Sequence, residues 1–432
     1  LARYNLVDQS VDSFEDASGI DASTSTNEFR NAAGNYYSGS NVATDVASNH
    51  TTVGSDTWVT PSDLSGTAKV LVVAGGGGVG TGGNANGAGG AGGLVYVSNF
   101  AAVASTTYNL TIGAGAAAVA SAGPVSTDGS DSVFDTSGTT QTLTASGGGG
   151  GAGATPGELG KDGGSGGGGA NPQYGSGTIG STDQVTTFGS YSGVGFGNNG
   201  GSVTSTWAMV SGGGGGAGGV GGNAISTTVG GAGGVGKDYS SVFGTGVGAS
   251  GWFAGGGGGA GNTGGGGGAG GTGGGGAGGA PHPAVGSNGT ANTGGGAGGG
   301  TPDQYPSATG GSGAIHILYN TLSYADMTLV SNAQTAQSAP TTGDLVMTYT
   351  DGAGTATVNT DIKAYISRDG SAYTSAVTLV SQGTTGGHTI LTANGVDLSG
   401  ITSGTSMRFK ITTHNQSAAK DTRIHAVSLG WS

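Results

Sequence analysis

The sequence predicts a mainly β protein with almost no helix, in which a glycine-rich bundle of polyproline II-like strands is followed by a C-terminal β-sandwich or jelly roll. Three observations carry this. Glycine fills 104 of 432 positions, against an ordinary share of about 7%, and gathers in runs near residues 75–78, 147–153, 163–169, 212–222, 255–280 and 294–300. Period-two alternation of apolar and polar residues recurs beyond residue 314, the spacing that lines one face of a strand. No stretch carries the apolar spacing of an amphipathic helix.

Composition divides the chain into three modules. Residues 1–68 form an N-terminal Ser/Thr/Asn-rich module of loops and short strands, residues 69–319 a glycine-rich domain, and residues 320–432 the C-terminal β-sandwich. The turn signal Pro61-Ser62-Asp63 precedes one clear strand at Lys69–Val73. Between the early glycine runs, "LVYVSNF", "TTYNLTIGAG", "SDSVFD" and "QTLTAS" read as strands of a small β-domain. A closing strand is expected at Ala314–Tyr319, beside Lys69–Val73. In the last module strands are expected at Asp344–Tyr349, Asp361–Ser367, Tyr373–Val380, His388–Leu391, Ser406–Thr412 and Ile424–Trp431, with a hairpin at Arg368-Asp369-Gly370.

The charge balance narrows the function. Eleven basic residues against 24 acidic give a net charge of −13, which repels a nucleic-acid partner. No cysteine is present, so disulfides and thiolate metal sites are excluded. No apolar run reaches the 18 residues or more that a membrane-spanning helix needs. The chain opens on Leu1 without a signal-like apolar segment, as expected of a processed chain or a piece of a longer one.

Several stretches imitate catalytic or cofactor motifs. "KVLVVAGGGGVG" at 69–80 opens like a dinucleotide fingerprint. The text that follows, "TGGNANGAGGAGG", is glycine-dense enough to forbid the required helix, at about 1 kcal/mol per glycine. No acidic residue for the ribose occurs between Asp63 and Asp128. "GAGGVGKD" at 231–238 resembles a phosphate loop, but Asp238 stands where a hydroxyl should hold magnesium. "ISRDGSAYT" at 366–374 resembles an Asp-box with Gly370 one residue early, and reads as a hairpin turn.

The histidines (His50, His282, His316, His388, His414, His425) share no metal-ligand spacing, and the alternation around His316 and His425 places both toward solvent. Between Gly147 and Gly313 the only acids are Glu158, Asp162, Asp183, Asp238 and Asp303, with no pairing suited to glycoside hydrolysis. No nucleophile, base and orienter emerge from the spacing. The expectation is therefore a protein that is not an enzyme, without cofactor or metal.

Glycine has another use. Lacking a Cβ, it lets three-residue-per-turn strands lie with their backbones almost touching, so that N–H and C=O groups bond to neighbouring strands instead of water. Such a bundle is a stiff base without side chains, and its loops carry the chemistry. In the loops at 170–208, 237–253 and 281–309 the candidates for receptor binding are Tyr174, Phe188, Tyr191, Tyr239 and Tyr305, whose rings offer a stacking face and, in tyrosine, a hydrogen-bonding hydroxyl. Trp252 and Phe253, beside "AGGGGGAG", suit a local core as well as a loop.

"KVLVVAGGGG", the repeated "GGGGAGG" blocks and the closing "GGSGAIHILY" are similar to the glycine-rich domain of bacteriophage tail-fibre proteins and adhesins. "DASTSTNEFRNAAGNYYSG" and the module "YISRDGSAYTSAVTLV…GTSMRFKITT…IHAVSLGW" resemble tail-fibre flanking modules. The resemblance implies a polyglycine II sandwich whose distal loops contact a host receptor. It implies a virion structural protein, extracellular or on the virion, with a bacterial surface glycan or outer-membrane protein and other virion proteins as partners. A homo-oligomer, a trimer by preference, is expected. The alternative is a subunit of an extracellular filament or a capsid decoration without receptor binding.

Overall fold

The structure is a computed structural model that describes residues 3–6, 8–80, 82, 85–119, 126–153, 158–170, 178–204, 209–224, 226–281, 283–300 and 307–432. Among these residues are 25 strands and one helix of a single turn, Ser240–Phe243. The fold is all-β. Where composition separates residues 1–68, 69–319 and 320–432, contacts form two compact units: Asp45–Asn320, and Leu1–Thr44 together with Thr321–Ser432.

In the first unit, the expected strand at Lys69–Val73 extends back to Leu64. It pairs antiparallel with Leu94–Phe100, Val72 opposite Val95. On its other side lies Ala314–Tyr324, so the strands that bracket the glycine region are neighbours. Their sheet runs Gly195–Phe196, Leu94–Phe100, Leu64–Val73, Ala314–Tyr324, Ser40–His50. A second sheet runs Leu143–Ala145, Ser132–Phe134, Thr107–Ile112, Gly54–Val59. Both bury side chains in one cluster that includes Val70, Val72, Ile315 and Ile317 from the first and Trp58, Tyr108, Leu110 and Phe134 from the second. Trp58 stacks on Tyr108 with centroids 5.4 Å apart.

The glycine runs lie outside these strands and bond to one another. Gly255 and Gly258 donate to the carbonyls of Gly273 and Gly276, Gly256 and Gly259 to those of Gly234 and Gly231, and Gly257 to that of Gly89, all at 2.7–3.0 Å. The same five residues accept. Gly296 and Gly299 donate to Gly255 and Gly258, Gly271 and Gly268 to Gly256 and Gly259, and Gly214 to Gly257. One run thus serves six neighbouring segments, returning to the same neighbour every third residue. Residues 74–80 repeat the pattern: Ala74, Gly77 and Gly80 donate to Gly93, Gly90 and Gly87, while Gly75 and Gly78 donate to Ser130 and Thr127.

Buried polar backbone must be paired, and here pairing takes the place of an apolar core. Each bond contributes only about 0.5–1.5 kcal/mol net, so the many bonds of each run together offset the large chain entropy that glycine loses. At most glycines of these runs the spacing admits no added carbon. A Cβ at Gly257 would lie 1.9 Å from the carbonyl oxygen of Ala297, and one at Gly89 2.0 Å from that of Gly77. Some alanines stand where the lattice meets apolar side chains. Ala91, Ala217 and Ala254 pack with Leu71, Val73, Leu94, Tyr239 and Phe253, and Ala297 with Val79 and Ala308.

The second unit has an eight-stranded sheet. Its main path runs Arg3–Leu6, Gln9–Asp12, Asp421–Trp431, Thr342–Ala353, His388–Asp397, Val380–Thr385. The hairpin of Phe29–Asn31 and Tyr36–Ser38 joins it at Asp421–Trp431. A four-stranded sheet holds Thr328–Val330, Ser406–Thr413, Gln334–Thr335 and Ile362–Ser367. Strand Ser406–Thr413 alternates strictly in burial, and Met407, Phe409 and Ile411 meet Leu345, Met347 and Leu429 in a single core. The expected strand at Tyr373–Val380 is absent. Only isolated bridges, Ser367 to Tyr373 and Ala364 to Val377, mark it, and the strand comes at Val380–Thr385. Asp369 diverts the chain: its carboxylate accepts the N–H groups of Ser371 and Ala372 at 2.9 and 2.7 Å.

One buried acid stabilises this unit. Asp361 is 1% exposed and accepts from Lys420 Nζ at 2.6 Å, Asn415 Nδ2 at 2.8 Å and the Thr357 N–H at 2.8 Å. Burial pushes its carboxyl up, but these donors outweigh burial and hold it down at about 2. Lys420→Met, which keeps the stem and removes the charge, should lower stability by roughly 3 kcal/mol, because it strands a buried carboxylate. A urea midpoint equal to that of the wild type would show the pair to be inert.

Candidate functional site

The predicted recognition residues do not form one cluster. Phe188 and Tyr191 sit opposite each other in the hairpin of Thr187–Phe188 and Tyr191–Ser192. Both are half-buried, with one side against the core that contains Phe100. The Tyr191 ring stacks on Phe100 at 6.1 Å, and its hydroxyl accepts the Ala101 N–H at 3.2 Å. Tyr239 is 8% exposed. Its ring lies 4.7 Å from that of Tyr96, and burial holds its phenol well above the usual range. It is a core residue, so its stacking face is already occupied. Tyr174 and Tyr305 lie outside the described residues.

Phe253 is fully buried, and with Trp252 it pairs with Lys237–Asp238. Lys237 Nζ stands 3.7 Å from the centre of the Phe196 ring. Both residues line a polar cleft with Thr182, Gln184, Thr186 and Asn198. A cation over an aromatic face, ringed by hydroxyl and amide groups, suits hydroxylated ligands. In the other unit Lys410 Nζ is 4.3 Å from the rings of both Tyr365 and Tyr373. Tyr373 also borders a groove with Val377, Val396 and Ile401.

The apparent cofactor motifs are structural. The N–H groups of Gly75, Gly76, Gly77 and Gly78 are spent on Ser130, Gly311, Gly90 and Thr127, leaving none for a pyrophosphate. Asp238 accepts the Ser240 N–H at 2.8 Å, which closes the turn after Lys237.

His316 departs from expectation. It is 1% exposed and faces inward, its ring 5.2 Å from that of Phe253. The alternation places it on one face of its strand correctly, but that face is covered. His425 is half-buried, its ring 4.1 Å from that of His388 and 5.4 Å from that of Tyr36. Among the described residues no group of three or more His, Cys, Asp or Glu could hold a metal ion.

One constellation escapes sequence reasoning. Ser48 Oγ lies 3.0 Å from His50 Nε2, and His50 Nδ1 lies 2.8 Å from Asp56 Oδ2. The only signal is Ser48-x-His50, two residues apart in a strand and so on one face. That Asp56 returns to them depends on the turn at 51–53.

Two sheets over one core and a backbone-packed glycine region define a class: an all-β, glycine-rich fold. A family model described as a glycine-rich domain matches residues 50–320, well over half of the chain. The protein belongs to this glycine-rich domain family. No curated protein matches the chain.

Proposed function

We propose that this chain is an attachment protein of a virion, a tail fibre or receptor-binding adhesin, whose glycine domain is a polyglycine II sandwich that presents loops to a bacterial surface glycan or outer-membrane protein. The observation that carries the reading is the bonding of Gly255–Gly259, which returns to each neighbouring segment every third residue. A three-residue period is that of the polyproline II helix, and six neighbours per run make a stiff block. The second unit, with its two sheets over one core, is read as a β-sandwich module of the same fibre. A homotrimer on the virion fits a fibre.

Recognition then falls to loop aromatics. Tyr174 and Tyr305, with the half-buried pair Phe188 and Tyr191, are the candidates. Labelled full-length chain should bind saturably to intact bacterial cells, or to an array of their surface polysaccharides. Tyr174→Ala and Tyr305→Ala should each weaken binding about tenfold or more, as anchor aromatics do, without shifting the melting temperature. Tyr239→Ala should instead lower the melting temperature, because it opens a cavity worth roughly 3 kcal/mol. Absence of binding across the panel, with assembly into open filaments, would favour the filament subunit instead.

A further inference from the structure

We propose that Ser48, His50 and Asp56 form a nucleophile, base and orienter that open short acyl esters, an activity independent of the attachment reading. Ser48 and His50 share a face of strand Ser40–His50, and Asp56 arrives from strand Gly54–Val59 after the intervening turn. His50 is 8% exposed, Ser48 is half-buried, and the Asp56 side chain is 40% exposed.

The hydrogen-bond chain runs in one sense. Asp56 accepts from His50 Nδ1 at 2.8 Å and, through its other oxygen, from the Thr57 N–H at 2.7 Å. The bond from His50, followed by that from Thr57, holds the Asp56 carboxyl below its usual range, so it stays ionised and acts as acceptor. His50 then carries its proton on Nδ1, and Nε2 presents a lone pair to the Ser48 hydroxyl 3.0 Å away. These are the roles and distances that nucleophilic acyl transfer needs. Strand Ser40–His50 is the last of its sheet, and among the described residues no strand pairs with its outer edge. An acyl carbonyl lying along that edge would meet backbone N–H groups, the donors an oxyanion needs.

The chemistry balances without a further reactant except water. The Ser48 Oγ–C bond forms as the hydroxyl proton passes to His50 Nε2. The ester C–O bond breaks, and the imidazolium returns that proton to the departing alkoxide. Water, deprotonated by His50, then attacks the acyl-serine, releasing the acid and restoring Ser48. A half-buried hydroxyl next to a shielded imidazole suits a short acyl group such as acetyl.

Ser48 and Asp56 would also serve simply as hydrogen-bond partners for the two nitrogens of a buried histidine, without chemistry. A fluorophosphonate probe separates the two. Incubated with the full chain, it should leave one covalent adduct, located at Ser48 by peptide mass spectrometry, and none in Ser48→Ala. Labelling should slow at least about 100-fold in His50→Gln and about 10-fold or more in Asp56→Asn, as loss of base and orienter does. Hydrolysis of p-nitrophenyl acetate should exceed the Ser48→Ala background. No adduct at Ser48 in chain that melts normally, or equal labelling of wild type and a folded Asp56→Asn, overturns the proposal.

Discussion

Gly257→Val is expected to abolish the folded glycine region. The first side-chain carbon would stand 1.9 Å from the Ala297 carbonyl oxygen and 2.6 Å from its carbon. Those atoms are backbone, fixed in turn by the bonds from Gly89 to Ala297 and from Ala297 to Gly77, and so cannot swing aside. Overpacking in an ordinary core costs roughly 1–3 kcal/mol because side chains shift rotamers. With no rotamer to shift, the cost here should exceed about 4 kcal/mol, beyond what most single substitutions do. Gly266→Ala is the control. It lies in the run at 264–268, yet nothing stands within 4 Å of its added carbon. It should be neutral or gain about 0.4–1 kcal/mol by restricting the unfolded chain. Scanning calorimetry of both variants checks the contrast; a valine variant within about 1 kcal/mol of wild type would dismiss a lattice of touching backbones.

Acid should weaken the same unit through one buried histidine. Burial lowers His316 from 6.5 to about 4, with His50 adding to the effect. The structure shows why a proton is unwelcome. Nδ1 bonds the Asn49 side-chain oxygen at 2.7 Å, Nε2 is buried without a partner, and the phenyl rings of Phe253 and Phe243 flank the imidazole. The folded state keeps the ring neutral, whereas the unfolded chain protonates it below about 6.5. Stability is therefore complete above that pH and falls as pH drops toward 4, by up to roughly 1.4 kcal/mol per pH unit. His316→Phe should flatten this part of the melting-temperature profile. If wild type and variant decline in parallel between pH 6.5 and 4, His316 is not the titrating group. His425, also held at about 4 mainly by burial, adds a decline in the other unit that the variant leaves unchanged.

Both effects depend on neighbours that local sequence describes unequally. The strands at Lys69–Val73 and Ser406–Thr412 were legible because alternation and β-branching act over a few residues, and Leu64–Val73 and Ser406–Thr413 differ from them only in their ends. That the glycine runs would bond to one another was legible in kind, since touching backbones leave little room for a Cβ. Which run meets which was not: Gly257 donates to Gly89 across more than 160 residues of chain, and one glycine run reads like another. The burial of His316 and Tyr239 was illegible for a related reason. Both are covered from elsewhere, His316 by Phe253 and Tyr239 by Tyr96, and alternation names a face without saying what lies on it. The Tyr373–Val380 expectation failed because alternation does not see the turn that Asp369 closes. Ser48, His50 and Asp56 needed the turn at 51–53 to bring two strands of different sheets together.

The return to each neighbour every third residue also sets rules for inheritance. A lattice held through main-chain groups makes its demands on the runs and few on the segments that join them, so those segments can be exchanged like cassettes while the runs stand still. Length, by contrast, is counted in triplets. Gaining or losing three residues within a run restores every donor to an equivalent acceptor, whereas one or two rotate the remainder onto the wrong neighbours. Such a gene would drift freely at its loops and move in steps of nine nucleotides within its glycine tracts.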